Sequence, residues 1–291
     1  MFEGMLTALV TPFRDGEIDE AALRALVDRQ IETGVDGLVP CGSTGESATL
    51  SHAEHRRVVE IVVHATRGRV PVVAGTGSNN TREAIELTLH AKEAGADGAL
   101  LISPYYNKPT QEGLFLHYAE IARHTAFPLV LYNIPGRTAS NILPSTVARL
   151  ADLEQVVGIK EASGNLGQIS EVIERCPETF GVLSGDDALT LPVLAVGGKG
   201  VISTTSNVAP ADMVSLVRSF RSGDVDTARR CHLRLVPLFS ALFVETNPIP
   251  VKAALHLAGA IGPEIRLPLT PLTAPNRERL QVVLKELGLA G

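Results

Sequence analysis

The sequence contains no tryptophan, and aromatic residues of all kinds make up only 4% of it. It has three cysteines, Cys41, Cys176 and Cys231. Their odd number and wide spacing argue against a disulfide framework and against a paired zinc site, so a reduced, cytoplasmic compartment suits the chain best. Because aromatic residues are scarce, a tyrosine that lies in a polar motif is a candidate for function.

Long apolar runs and long runs of like charge are also missing. The apolar stretches are short and broken by glycine, proline or charge, so we expect no membrane partner, and residues 1–4 lack the basic start of a secretory signal. The net charge is −6, and the basic residues are scattered, which argues against a nucleic-acid partner. A small anionic substrate remains compatible with this balance, because the charge inside a pocket can oppose the net charge.

What the sequence does have is a regular alternation of short apolar runs and amphipathic segments. The chain has 291 residues and is 45% apolar, enough for one large core. The runs are rich in Val, Leu, Ile and Ala, as is typical of strands buried on both faces. We predict eight strands, at residues 5–11, 35–40, 70–74, 98–103, 128–133, 156–160, 181–184 and 199–203.

Helical patterns separate these strands. The first places Leu23, Leu26 and Val27 on one face, and the second opens with Ser51 and Glu54 at the spacing of a capping box. The others are predicted at about 82–94, 111–125, 144–152, 167–175, 186–195 and 210–221.

Eight strand–helix units with short connections predict a parallel (β/α)8 barrel, the TIM barrel, over residues 1–222. An open doubly wound sheet is the alternative, but no Gly-x-Gly-x-x-Gly turn follows the first strand. Three more helical stretches, at about 224–243, 248–259 and 276–288, predict a C-terminal helical extension. We expect this extension, residues 223–291, to pack on the barrel without forming a second functional domain.

In such a barrel, functional residues gather at the carboxyl ends of the strands. Lys160 carries the most information, because it emerges from a buried strand, where desolvation favours the neutral amine that attacks a ketone to form an imine. The alternative is a structural ion pair with Glu161 or Asp186. Tyr132 ends the preceding strand and should lie beside Lys160, where a phenol can carry protons. That pairing favours catalysis over a tyrosine that merely packs.

Two further segments suit carboxylates. The turn at residues 42–45 offers backbone N–H groups and the hydroxyls of Ser43 and Thr44 to a 2-oxo acid, although such turns are more often plain connections. Arg137 lies on a loop, where its forked guanidinium can hold a second carboxylate, unless it is an ordinary surface arginine.

Metal chemistry finds little support. His52 and His55 stand three apart on a predicted helix, but no third ligand stands at a companion spacing. We therefore expect no metal and no other cofactor.

Eight segments of the chain carry a family resemblance. They are residues 8–13 (ALVTPF), 42–50 (GSTGESATL), 74–77 (AGTG), 104–109 (PYYNKP), 132–138 (YNIPGRT), 158–162 (GIKEA), 183–187 (LSGDD) and 247–252 (NPIPVK). The chain resembles the dihydrodipicolinate synthase family, also called the 4-hydroxy-tetrahydrodipicolinate synthases, from its start almost to its C-terminus. That family lies within the pyruvate-dependent class I aldolase superfamily, which also contains N-acetylneuraminate lyase.

The resemblance implies a Schiff-base lyase that condenses pyruvate with L-aspartate 4-semialdehyde on the diaminopimelate route to lysine. It implies that Lys160 forms the imine, that Tyr132 is the central acid and base, and that Ser43 and Tyr106 complete a proton relay. Tyr106 would enter from a neighbouring subunit. The substrate-binding residues implied are Thr44, Arg137, Gly185 and Ile202. The family usually has threonine where Ser43 stands, and serine keeps the hydroxyl but loses the methyl that restricts its rotamer.

The resemblance also implies a homotetramer built from tight dimers and feedback inhibition by L-lysine. Side chains of adjacent residues leave an extended backbone in opposite directions, so Tyr105 should point away from the active site that Tyr106 enters. The implied lysine site consists of Ser47, Ala48, His52, His55, Asn79, Glu83 and Tyr105. A polar interface that binds no lysine is the alternative.

Two other functions stay open from the sequence. One is another pyruvate-dependent lyase, such as N-acetylneuraminate lyase or a keto-deoxy sugar acid aldolase, although Arg137 suits a second carboxylate better than a polyhydroxylated substrate. The other is a non-catalytic barrel that binds a small molecule, against which Lys160, Tyr132 and Ser43 argue.

Overall fold

The computed structural model of the protein describes residues 2–290. Within that range the chain forms ten strands. They are β1 (Gly4–Ala8), β2 (Phe13–Arg14), β3 (Glu17–Ile18), β4 (Gly37–Val39), β5 (Val73–Gly75), β6 (Gly98–Ile102), β7 (Leu129–Asn133), β8 (Val156–Glu161), β9 (Gly181–Ser184) and β10 (Gly200–Ser203).

Eight of these strands form one parallel sheet, in the order β4-β1-β10-β9-β8-β7-β6-β5. The two ends of that order meet, because a parallel bridge joins Leu38 to Val72 and the Leu38 amide donates to the Pro71 carbonyl at 2.9 Å. The predicted TIM barrel is therefore confirmed. The remaining strands, β2 and β3, form a short antiparallel hairpin that the sequence did not reveal, since two residues are too few to display a period.

The strands sort their side chains into two cores, because alternate residues face opposite sides of a sheet. One core fills the inside of the barrel and includes Leu6, Val73 and Tyr132. The other lies between the strands and the helices, and Leu131 and Ile159 belong to it. This alternation directs every second strand residue into the barrel.

Helices follow the strands. They are α1 (Glu20–Thr33), α2 (His52–Thr66), α3 (Thr81–Glu93), α4 (Gln111–Thr125), α5 (Pro135–Thr138), α6 (Pro144–Ala151), α7 (Leu166–Arg175), α8 (Thr190–Ala195), α9 (Pro210–Arg221), α10 (Val225–Ala241), α11 (Ile249–Leu257) and α12 (Ala274–Glu286). The capping box of Ser51 and Glu54 opens α2 as predicted. The segment predicted as one helix at 186–195 is instead a 3-10 turn followed by α8. Asp186 caps the turn, because its side chain accepts from the Ala188 amide.

The C-terminal extension consists of α10, α11 and α12. Its first helix packs against α9, and α11 reaches the turn that follows β4, where Lys252 bonds Glu46. No helix within residues 2–290 has the length and apolar character needed to cross a membrane. The extension thus contributes directly to the carboxyl end of the barrel.

Candidate active site

Lys160 and Tyr132 are neighbours in the barrel. They face each other in the register of β8 and β7, and the Lys160 Nζ lies 4.3 Å from the centroid of the Tyr132 ring. Both side chains are only 5% exposed. Since Ile159 belongs to the outer core, strand alternation turns Lys160 towards the inside of the barrel. Its position beside Tyr132 is the one that the sequence predicted.

The structural ion pair considered for Lys160 is not formed within the described residues. Glu161 accepts hydrogen bonds from the Ser163 amide at 2.7 Å and from the Asn133 side chain at 3.0 Å. Burial raises the pKa of this carboxyl, and those donors oppose the rise. Asp186 caps the turn before α8. Lys160 therefore keeps its amine free of a carboxylate partner among residues 2–290.

Gly185 follows β9 and lies against the Lys160 side chain. A Cβ at this position would lie 2.7 Å from the Ala162 Cβ and 3.1 Å from the Lys160 Cε. Glycine is therefore required to leave the lysine its space. Gly185 and Ala162 also line a cavity of about 380 Å³ beneath α10.

The turn at residues 42–45 presents two hydroxyls. The Gly45 amide donates to the Gly42 carbonyl at 3.0 Å, and the Thr11 hydroxyl donates to the Gly45 carbonyl at 2.7 Å. Thr44 is buried, and its Oγ1 lies 3.2 Å from the Thr204 Oγ1. The Ser43 hydroxyl has no hydrogen-bond partner within residues 2–290, so it is available to a ligand or to another subunit.

Ile202 lies on β10, and its side chain belongs to the core inside the barrel. The loop after β10 is held by Asp187, whose Oδ2 accepts from the amides of Thr204 and Thr205 at 3.1 and 2.9 Å. Burial raises the pKa of Asp187, and hydrogen bonds from Ser203 and Thr205 oppose the rise. The sequence marked this residue only as part of a motif, because its partners lie 17 and 18 residues further along the chain.

Arg137 lies on α5, the short helix after β7, where the sequence predicted a loop. One of its guanidinium nitrogens donates to the backbone carbonyl of Asn247 at 2.9 Å. Arg137 and Ser43 line the same cavity, which has a volume of about 510 Å³. The exposed guanidinium has further donors for an anionic ligand.

Tyr105 and Tyr106 differ sharply in exposure, at 39% and 89%. Tyr106 has a left-handed φ of 72°, so the extended backbone predicted for this pair is wrong. Tyr105 lines the cavity of Ser43 and Arg137, whereas Tyr106 projects from the surface of the protomer.

Glu83 is the only carboxylate among the residues of the implied lysine site. This carboxylate bonds the Ser78 hydroxyl, and it also lies 2.7 Å from the His52 Nε2. These contacts, Ser78 first, lower the pKa of Glu83. The buried His55 has its Nε2 2.7 Å from the Gly75 carbonyl, and burial lowers its pKa.

Within one protomer the implied lysine site is not a separate pocket. Ser47, Ala48, His52, His55, Glu83 and Tyr105 line the same continuous cavity as Ser43 and Arg137. Asn79 lies at its margin, where its side chain donates to the Tyr105 carbonyl at 3.1 Å. The prediction that Tyr105 faces another pocket is therefore wrong for the protomer, because Tyr105 lines the same cavity as Ser43 and Arg137.

No cluster of three or more His, Cys, Asp or Glu side chains that could hold a metal ion occurs within residues 2–290. His52 and His55 also diverge, since His52 contacts Glu83 and His55 contacts the Gly75 carbonyl.

The chain is similar to known proteins over almost its entire length. The sequence profile of the Dihydrodipicolinate synthetase family matches residues 1–287. A curated relative from Syntrophus aciditrophicus (strain SB), named 4-hydroxy-tetrahydrodipicolinate synthase, is 60% identical over 291 residues, which cover 100% of both chains.

Two solved structures were obtained with ligands. The chloride-inhibited dihydrodipicolinate synthase from Acinetobacter baumannii, complexed with pyruvate, has 44% identity and a TM-score of 0.97, with 99% of this chain and 100% of that chain covered. The enzyme from Cyanidioschyzon merolae with lysine bound has 43% identity and a TM-score of 0.96, with 99% of each chain covered.

Proposed function

We propose that this chain, which belongs to the dihydrodipicolinate synthetase family, condenses pyruvate with L-aspartate 4-semialdehyde on the diaminopimelate route to lysine. The observation that carries the proposal is the buried Lys160 amine, which has no carboxylate partner within residues 2–290 and lies over the Tyr132 ring. The names of the relatives favour this lyase over a sugar acid aldolase and over a non-catalytic barrel.

The chemistry begins with the neutral Lys160 amine, which attacks the ketone carbon of pyruvate. The ketone oxygen leaves as water, taking two protons, and the C=N bond of an imine forms. The imine nitrogen takes a proton and the methyl group loses one, which gives an enamine. Its terminal carbon then bonds to the aldehyde carbon of the second substrate, the aldehyde oxygen takes a proton to become a hydroxyl, and the nitrogen returns to the imine form. Tyr132 is the acid and base proposed for these proton transfers, because its phenol belongs to the residue in register with Lys160.

Two carboxylates must be held during this reaction. Thr44, Ile202 and Gly185 are proposed for pyruvate. Gly185 lies against the Lys160 side chain, Ile202 shares the core inside the barrel with Tyr132, and the Thr44 hydroxyl meets that of Thr204 just after β10. Arg137 is proposed for the carboxylate of the semialdehyde, because its fork suits bidentate binding at the cavity it shares with Ser43.

The proton relay is proposed to continue from Tyr132 through Ser43 to Tyr106 of a neighbouring subunit. The free Ser43 hydroxyl and the 89% exposure of Tyr106 support this assignment, because a tyrosine so exposed is available to a second copy of the chain. A homotetramer of tight dimers in the cytoplasm is the assembly and location proposed with it.

Trapping tests the central assignment. Pyruvate with borohydride should add a reduced adduct to the peptide containing Lys160, and Lys160→Ala should abolish labelling. Lys199→Ala is the matched control and should label like the wild type. Label that persists in Lys160→Ala, or that falls on Lys108 or Lys199, would refute the assignment.

We further propose that L-lysine inhibits the enzyme by binding between Glu83 and Tyr105. The C. merolae relative was solved with lysine bound, and Glu83 can pair with a lysine ammonium. Because His52 already contacts Glu83 at 2.7 Å, the ligand must compete with it or share the carboxylate.

Initial rates across millimolar L-lysine test this proposal. Glu83→Gln should weaken inhibition while leaving the rate without lysine near the wild-type value, since inhibition is a coupling between two sites. Glu86→Gln, on the same helix, is the control and should remain inhibited. Full wild-type activity at saturating lysine, with no binding heat in calorimetry, would remove the regulatory site and leave the catalytic assignment intact.

A further inference from the structure

The segment between α10 and α11 contains a buried side chain to which the proposed reaction gives no role. We propose that Asn247 is a positioning residue that orients the hydroxyl of Thr44 and fixes it relative to Arg137. This inference rests on the substrate-binding roles proposed for those two residues. The Asn247 side chain is 6% exposed, and its Nδ2 donates to the Thr44 Oγ1 at 2.9 Å. Its backbone carbonyl accepts from Arg137 at 2.9 Å.

The hydrogen bond from Asn247 determines what Thr44 can do. An amide nitrogen only donates, so the Thr44 oxygen is the acceptor, and its single hydroxyl hydrogen must point elsewhere. The neighbouring Thr204 Oγ1 lies 3.2 Å away. With pyruvate bound, the same hydrogen is available to the carboxylate. Asn247 therefore occupies an acceptor site of the Thr44 oxygen and leaves its hydrogen for Thr204 or a bound carboxylate.

A second contact anchors the same segment. Lys252 lies five residues beyond Asn247, and its Nζ bonds Glu46 at 2.5 Å and the Thr11 carbonyl at 3.0 Å. Glu46 directly follows the turn that carries Thr44. The extension therefore contacts this turn at two points, and the ion pair keeps the Asn247 amide within reach of Thr44.

Steady-state kinetics of Asn247→Ala test the inference. Loss of one hydrogen bond should raise the KM for pyruvate by about two- to tenfold. The KM for the semialdehyde should change less, because alanine retains the backbone carbonyl that contacts Arg137. Asn247→Asp keeps the shape of the side chain and should raise the pyruvate KM at least as much, since its carboxylate would face the pyruvate carboxylate.

A double-mutant cycle separates positioning from general support of the fold. Thr44→Val removes the hydroxyl while conserving shape, so in that background Asn247→Ala should have no further effect on the pyruvate KM. Asn276→Ala is the matched control, because Asn276 lies in the same extension and its side chain bonds only Glu245 among the described residues. It should leave both KM values unchanged.

Two results would overturn the inference. One is a wild-type pyruvate KM in both Asn247→Ala and Asn247→Asp. The other is the same fold-increase from Asn247→Ala with and without the Thr44 hydroxyl. Absence of a pyruvate adduct on Lys160 in the wild-type chain would instead overturn the proposed function, so the two failures are distinguishable.

Discussion

Replacing Lys252 by methionine should destabilise the protein by roughly 3–5 kcal/mol, the range expected when one member of a buried ion pair is removed. Lys252 and Glu46 are each 3% exposed, and their charged atoms lie 2.5 Å apart. Burial lowers the pKa of the Lys252 amine, and the Glu46 carboxylate opposes that fall. Methionine has a similar length but carries no charge, so the variant isolates the loss of the cation.

The magnitude follows from what Glu46 would retain. Its Oε2 would still accept from the Arg266 amide at 3.1 Å, but its Oε1 would lose its donor. The Arg266 guanidinium is not a free substitute, because it already pairs with Glu54 at 2.5 Å. The variant would therefore bury a carboxylate with half of its partners.

The loss of unfolding free energy caused by Lys252→Met should also depend on pH, and it should be larger at neutral than at acidic pH. Without its cation, the buried Glu46 carboxylate would be unfavourable in its charged form. A carboxyl of that kind destabilises the fold above its unfolded pKa and ceases to do so as the pH falls. The difference between Lys252→Met and the wild type should therefore shrink on acidification.

Chemical denaturation at one fixed protein concentration measures this effect. The double variant Glu46→Gln/Lys252→Met should be more stable than Lys252→Met alone, because it buries no unpaired charge. Lys285→Met, on the exposed face of α12, is the control and should stay within about 0.5 kcal/mol of the wild type. A double variant as unstable as Lys252→Met, or a Lys252→Met as stable as the control, would refute the reasoning.

Two further predictions concern the site and the fold. Arg137→Ala should lower kcat/KM for the semialdehyde by the equivalent of about 1.5–3 kcal/mol while pyruvate still forms its adduct; equal damage to both substrates in steady-state assays would indicate a structural role. Burial lowers the pKa of His117 from 6.5 to about 4, so the wild type should lose stability as the pH falls from 6.5 towards 4, because the unfolded chain binds the proton more readily. His117→Gln lacks the titrating group, so between pH 8 and pH 5 its unfolding free energy should fall by roughly 2 kcal/mol less than that of the wild type. Parallel stability profiles of variant and wild type over this range would contradict the prediction.

The parts of the fold that the sequence predicted are those with a local period. Lys160 and Tyr132 each end an apolar run, and the alternation of a strand then places them side by side within the barrel. Strand ends were predicted less well, because burial continues where strand pairing stops. Leu9 and Thr11 are buried, yet β1 ends at Ala8. Beyond it, the Thr11 hydroxyl bonds the turn at Gly45.

The contacts that the sequence did not predict are long-range or depend on one backbone angle. Asn247 and Thr44 are 203 positions apart, so no local pattern relates them. Tyr106 has a left-handed φ. The prediction of two separate pockets assumed an extended backbone at this residue, so it fails on this one angle. Both features are set by tertiary packing.

The C-terminal extension was expected to pack on the barrel without forming a second functional domain, and its contacts argue that the substrate-binding turn depends on it. Without residues 223–291, Glu46 would lose the Lys252 amine and the Arg266 amide. Thr44 would also lose the Asn247 donor. A carboxylate that Lys252 and Arg266 now cover would then have to be hydrated within the turn that presents Thr44 to the ligand, and the turn would have to open for water to reach it. The chain therefore completes the carboxyl end of its barrel with residues from outside the eight strand–helix units, and the substrate-binding turn depends on helices that follow them.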